Sequence, residues 1–118
     1  MIVEDDSFVS DIYQTKLAEN GFGVITAENG AEAIKKLGES GEKPDMILLD
    51  IVMPYMDGMA VLKKIKENGE WKNIPVVLLT NISDKEEIQK GLNLGAKDYL
   101  IKSHFTPSEV MEKINKYL

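Results

Sequence analysis

The sequence predicts an α/β fold: a doubly wound, five-stranded parallel sheet flanked by five helices. Three observations carry that expectation. Short apolar runs alternate with amphipathic stretches five times along the 118 residues. The middle runs, Met46-Ile47-Leu48-Leu49 and Val76-Val77-Leu78-Leu79, are continuously apolar, as suits strands buried on both faces rather than the alternation of a one-sided sheet. The intervening stretches have readable helix starts and stops, so each apolar run is separated from the next by a helical crossover. Parallel strands joined by right-handed crossovers close into such a sheet.

Taken in order, the first strand is Met1-Ile2-Val3, which reads as short by a few residues at its start. Ser7 to Asn20 follows with Phe8, Ile12, Tyr13 and Leu17 at helical spacing, and Gly21 is a stop signal. Gly23 to Ala27 is the second strand. Asn29 can cap a helix running to about Lys36, with Glu32 in the reciprocal position. Gly38 to Lys43 reads as a polar loop. After the third strand, Gly58 to Asn68 carries Val61, Leu62 and Ile65 on one face, and Gly69 ends it. After the fourth, Ser83 and Glu86 form a capping box for a helix to Leu94, stopped by Gly95. Tyr99-Leu100-Ile101 is the fifth strand. Thr106-Pro107-Ser108-Glu109 combines a cap, a first-turn proline and a capping glutamate. It opens a last helix with Val110, Ile114, Tyr117 and Leu118 inward. No linker or repeat interrupts residues 1–118, which read as a single domain able to bury roughly two-thirds of its unfolded surface.

Composition narrows the function. Fourteen Lys and Arg stand against 20 Asp and Glu, a net charge of −6. That balance argues against a direct nucleic-acid binder, which needs a basic face for phosphates, and against an anionic membrane surface. No apolar run approaches the ~20 residues of a membrane span. The absence of cysteine excludes disulfides, thiolate metal sites and thiol nucleophiles, and fits a reducing compartment.

In an open α/β sheet, ligands sit at the carboxyl ends of the strands. Glu4, Asp5 and Asp6 follow the first strand, Asp50 the third, Thr80 the fourth and Lys102 the fifth. The first and third strands are neighbours in the commonest five-strand order. Two carboxylates ~5 Å apart repel by about 3 kcal/mol at an effective dielectric of 20, so such a cluster implies a compensating cation. An all-oxygen set selects a hard ion, and Mg²⁺ is held by a few carboxylates together with phosphate. Lys102 suits a phosphoryl oxygen, and Thr80 supplies a hydroxyl. Asp50 could then be a nucleophile forming an acyl phosphate. Each residue has a plainer alternative. Acids at a strand end are often caps, Thr80 alone would satisfy a loop, Lys102 alone would be solvated, and Tyr99 alone would be packing. It is the constellation that carries chemistry. His104 reads as an exposed loop residue and Trp71 as cover for the bottom edge of the sheet. Pro54 and Gly58 read as turn residues. Met53, Met56 and Met59 read either as gap-fillers or as an adaptable partner surface.

The sequence resembles the receiver domain of two-component response regulators, the CheY-like family. The segments that carry the likeness are Val3-Glu4-Asp5-Asp6, Leu48-Leu49-Asp50-Ile51-Val52-Met53-Pro54, Met56-Asp57-Gly58, Leu79-Thr80-Asn81 and Gly95-Ala96-Lys97-Asp98-Tyr99-Leu100-Ile101-Lys102. They lie in order across nearly the whole chain. The resemblance implies a flavodoxin-like sheet of order 2-1-3-4-5 and a cytoplasmic signalling module rather than a turnover enzyme. It implies that Asp50 is the phosphoacceptor, charged by a sensor histidine kinase or phosphotransfer protein with Mg²⁺. Asp5 and Asp50 would ligate the ion directly, Glu4 through water, and Val52 through its carbonyl. Thr80 and Lys102 would close on the phosphoryl group, and Tyr99 would turn inward as Thr80 moves. It implies a downstream effector of unknown identity, and allows homodimerisation on activation and an output domain elsewhere in the parent protein. Asp6 matches no metal position and is expected to cap the first helix.

Departures from the family pattern sharpen the expectations. Ser103 stands where the family has proline after a cis peptide, and a cis bond before serine costs about 2.5–4 kcal/mol. Asn81 occupies a position that the family gives to a very small residue. A Mg²⁺-dependent aspartyl phosphohydrolase is the enzymatic rival, but such enzymes often carry a second aspartate two residues after the nucleophile, where this chain has Val52. A phosphate-independent scaffold is the non-catalytic rival, opposed by the intact acids, Thr80 and Lys102. Val52 and Ile82 are apolar at positions that tune hydrolysis in the family, so slow loss of phosphate is expected. A phosphoryl half-life of only seconds in Mg²⁺ would contradict this.

Overall fold

The computed structural model describes residues 1–39, 43–51, 57–80, 85–101 and 106–117. Its elements alternate strictly: β1 (Ile2–Val3), α1 (Ser7–Glu19), β2 (Thr26–Ala27), α2 (Gly30–Glu39), β3 (Ile47–Asp50), α3 (Gly58–Glu67), β4 (Val76–Thr80), α4 (Lys85–Asn93), β5 (Asp98–Ile101) and α5 (Pro107–Tyr117). The five strands form one parallel sheet in the order β2-β1-β3-β4-β5. This is the architecture and the strand order that the sequence predicts.

The sheet separates two apolar layers, and consecutive strand residues serve opposite ones. Ile47, Leu49, Val76 and Leu78 pack with Ala33 and Leu37 of α2 and Val61, Leu62 and Ile65 of α3. Leu48, Val77, Leu79 and Leu100 pack with Tyr13 and Leu17 of α1 and Val110, Met111 and Ile114 of α5. The strand residues of β3 and β4 are buried throughout. Each large aliphatic side chain removed from water contributes about 1.5–3 kcal/mol, which explains why uninterrupted apolar runs mark these strands.

Caps fix where the helices begin and end. The Asp6 carboxylate accepts the N–H groups of Phe8 (3.0 Å) and Val9 (3.3 Å), so Asp6 is the expected cap of α1. Asn29 Oδ1 accepts the Glu32 N–H at 2.8 Å, while Glu32 Oε2 accepts the N–H of Glu28 at 3.2 Å. Thr106 Oγ1 accepts the Glu109 N–H and donates to its carboxylate, both at 3.2 Å. Gly21 and Gly95, read as stop signals, adopt φ of +84° and +112°, which side-chain-bearing residues rarely tolerate. The Ser83 half of the α4 capping box lies outside the described residues.

Three local expectations need correction. The strand read as Gly23–Ala27 is only Thr26–Ala27, because a strand extends only as far as its partner and β1 offers two residues, Ile2 against Thr26 and Val3 against Ala27. The loop read from Gly38 starts too early, since α2 runs through Glu39 with Leu37 buried in its last turn. In α1 the inward line is Val9, Tyr13 and Leu17 at a spacing of four, which leaves Phe8 73% and Ile12 38% exposed. Trp71, in the turn before β4, packs against the α2–α3 side of the core.

β5 is an edge strand, and a polar network ties it to α5. Asp98 Oδ2 accepts the Tyr117 phenol at 2.5 Å and lies 3.3 Å from Lys113 Nζ. Asp98 Oδ1 accepts the N–H of Tyr99 at 2.8 Å. Burial pushes the Asp98 carboxyl up, but the Tyr117 and Tyr99 donors and the Lys113 charge outweigh it and hold the group below its usual 3.8. The hydrogen bond to Asp98, aided by burial, raises the Tyr117 phenol above its usual 10.0. A depressed carboxylate contributes stability that is complete above its ordinary value and is lost as pH falls through the lowered one. A raised phenol contributes below 10 and loses its share as pH climbs through the raised value. Native protein should therefore lose stability below pH 3.8 more steeply than Asp98→Asn, as measured by urea unfolding across pH; parallel curves would refute the coupling.

Candidate functional site

The carboxyl ends of β1, β3 and β4 converge because the three strands are parallel neighbours. Val3 pairs with Leu49, Asp50 with Leu79, and Thr80 with Ile101. The chain leaves β1 with the Glu4 N–H still bonded to the Ala27 carbonyl at 3.0 Å, so Glu4 continues the line of the strand. Glu4, Asp50 and Thr80 are 2%, 6% and 1% exposed, whereas Asp5 stands at the open mouth. Carboxylate oxygens of Glu4, Asp5 and Asp50 all lie within 4.8 Å of one another. Full charges at that spacing repel by about 3 kcal/mol per pair at an effective dielectric of 20. The donors are oxygen only and two of the carboxylates are desolvated, which fits a hard divalent cation and disfavours soft metals.

Local chemistry sorts the consecutive acids. The Asp6 side chain turns to α1 as its cap, and the Asp6 N–H points back to Glu4 Oε1 at 3.4 Å. Glu4 and Asp5 are left to the rim. On β3, the backbone after Asp50 is gripped by the start of α3. The Gly58 N–H donates to the Ile51 carbonyl at 2.8 Å, and a Cβ on Gly58 would fall 2.2 Å from the Asp50 carbonyl oxygen and 2.6 Å from Ile51 Cα. Only a residue without a side chain admits that approach. Asp57 caps α3 by accepting the Ala60 N–H at 2.9 Å. Gly58 was legible only as a turn residue; its close approach to Asp50 depends on how the chain folds back after β3 and leaves no signal in the residue pattern. The Asp57 cap was missed, although an aspartate just before an amphipathic run is the signal that reveals one.

The structure thus brings together Glu4, Asp5 and Asp50 and sets Thr80 at the end of the adjacent strand. Tyr99 lies on β5, half-buried and packed against the α2–α3 side of the core, two residues before the Thr80–Ile101 register. Val52, Asn81, Ile82, Lys102, Ser103 and His104, together with the Lys102–Ser103 peptide, lie outside the described residues. So do Met53, Pro54 and Met56.

A family model described as the response regulator receiver domain matches residues 1–115. The chain belongs to that family. Among curated receiver-containing relatives, chemotaxis protein CheY of Bacillus subtilis is 36% identical over 119 residues, covering 100% of this chain and 95% of that protein. The alkaline phosphatase synthesis transcriptional regulatory protein PhoP of the same organism is also 36% identical over 118 residues, across 100% of this chain but 47% of that protein. The receiver sequence accordingly spans about half the length of several curated relatives that it matches. The solved chemotaxis protein CheY4 of Vibrio cholerae superposes with a TM-score of 0.90 at 28% identity, over 99% of this chain and 95% of that one. No described helix is long and apolar enough to cross a membrane.

Because Gly58 holds the backbone of the central acid, Gly58→Ala should destabilise the receiver by at least about 2 kcal/mol, the overpacking cost when backbone must move. The urea midpoint measures this, and an unchanged midpoint would show that the α3 start yields freely.

Proposed function

We propose that this receiver accepts a phosphoryl group on Asp50 from a sensor histidine kinase or phosphotransfer protein, in a Mg²⁺-dependent transfer that switches a partner-binding surface. The observation that carries the proposal is the convergence of Glu4, Asp5 and Asp50 oxygens within 4.8 Å at the strand ends, two of the three acids being buried. Asp5 and Asp50 are assigned as direct ligands, Glu4 as a ligand through water and Val52 as a carbonyl ligand. Bound there, Mg²⁺ would neutralise the carboxylates and the charge on the incoming phosphoryl oxygens.

An Asp50 carboxylate oxygen attacks phosphorus as the P–N bond of the donor phosphohistidine breaks, and the departing imidazole keeps that electron pair. Phosphoryl transfer needs chiefly alignment and charge neutralisation, and the buried end of β3 supplies the first. The product carries about −1.5 to −2 charge, as phosphate esters do, together with strong acceptor oxygens. Thr80 donates its hydroxyl to one and Lys102 its ammonium to another. As Thr80 moves, Tyr99 turns inward and the surface of α4, β5 and α5 changes its affinity for an effector. The same residues would catalyse self-phosphorylation from a small phosphodonor and later dephosphorylation. The setting is taken to be cytoplasmic.

Mass spectrometry after acetyl phosphate and Mg²⁺ treatment should show one added phosphoryl group on the native protein and none on Asp50→Asn. In metal-free buffer the same variant should melt higher than native, because one repelling charge is gone. Equal labelling of both proteins would overturn the assignment, and a lower melting temperature would overturn the repulsion that motivates it.

A further inference from the structure

Building on Asp50 as phosphoacceptor and Tyr99 as its switch, we propose that Asp98, Lys113 and Tyr117 form a clamp across the β5–α5 seam. This clamp sets the resting position of Tyr99, making the three side chains positioning residues for the switch. Tyr99 is engaged at three points. Its N–H donates to Asp98 Oδ1 at 2.8 Å, its carbonyl accepts from Lys113 Nζ at 3.4 Å, and that ammonium stands 5.9 Å from the centre of its ring. The first contact fixes the backbone on one side of the residue, the second on the other. The third places a cation near the ring, where attraction to the π face favours that ring position.

Neither partner of Tyr99 is held by its own element alone. Asp98 belongs to the edge strand and Lys113 to α5, and they meet at 3.3 Å with side chains 18% and 27% exposed. Tyr117 lies one helical turn beyond Lys113 on the same face, and its phenol donates to the second Asp98 oxygen at 2.5 Å. The Asp98 carboxylate is therefore anchored from α5 by a hydroxyl and an ammonium while its other oxygen holds Tyr99. Any sliding or rocking of α5 against β5 must change both grips together. This gives a partner seated on α5 a physical route to the Tyr99 population, and by linkage gives Tyr99 the same influence on that partner.

Fluorine NMR of protein labelled with 3-fluorotyrosine tests the clamp, with the Tyr99 resonance assigned by Tyr99→Phe. Without ligand, Tyr117→Phe and Asp98→Asn should each move that resonance away from its native position. With Mg²⁺ and beryllofluoride, a phosphoryl mimic, the native resonance should shift, and the variants should reach the same end point at lower beryllofluoride by at least about fivefold, the low end of ordinary site-to-site coupling. Lys113→Arg should keep the native resting resonance and Lys113→Met should not, a contrast that general loss of stability would not produce. A native response with an unmoved Tyr99 resonance in Tyr117→Phe and Lys113→Met would overturn the clamp. A native protein that ignores beryllofluoride would overturn the phosphoacceptor assignment instead, and the ligand-free comparison of variants would still decide the clamp.

Discussion

The rim of this domain depends on one constraint, the ending of three neighbouring parallel strands in steps of a single residue of register inside a buried sheet. β3 is flanked by β1 and β4 and covered on both faces, so its last residue has no freedom to turn away. Register places the Glu4 end of β1 beside Asp50, and the Thr80 end of β4 on its other side. Hydrophobic burial of the strands thus delivers polar groups to a fixed place that their own electrostatics would oppose. The tension is built in: apolar packing brings together carboxylates that repel when charged, and a ligand of opposite charge would relieve it.

How the acids divide their work shows how little separates structure from chemistry in one segment. Glu4, Asp5 and Asp6 are consecutive, yet it is Asp6 that caps α1, while the Glu4 carboxylate takes the N–H of Asp6 from the local backbone, at 3.4 Å. The chain leaves the strand at Glu4 and enters the helix after Asp6, so three adjacent carboxyls acquire a buried, an exposed and a capping role, the first two still converging with Asp50. Asp57 repeats the capping solution at α3, close to the backbone that carries Asp50.

Much of this was legible in the residues because it is local or periodic. Strand cores, caps and glycine stops declare themselves within a few positions, and the strand-end rule then collects Glu4, Asp5, Asp50 and Thr80 without knowledge of any distance. What escaped was either cooperative or remote. The length of β2 is decided by β1, not by Gly23–Ile25. The inward line of α1 is decided by where the sheet lies, so Phe8 and Ile12 fit the period yet face solvent. Gly58 against Asp50, and Asp98 against Tyr117 nineteen residues on, depend on close approaches that no spacing encodes.

The alternation of Val76 to Leu79 between two layers carries a consequence for how the domain tolerates change in length. Each strand residue belongs to one layer by parity alone, Leu78 to the α2–α3 side and Leu79 to the α1–α5 side. Removing or adding one residue inside β4 would exchange those memberships at a stroke and shift Thr80 off the rim. Substitutions of apolar for apolar leave parity untouched. Drift in length is thereby confined to the connections between elements, and the central strands can vary in composition while being frozen in count.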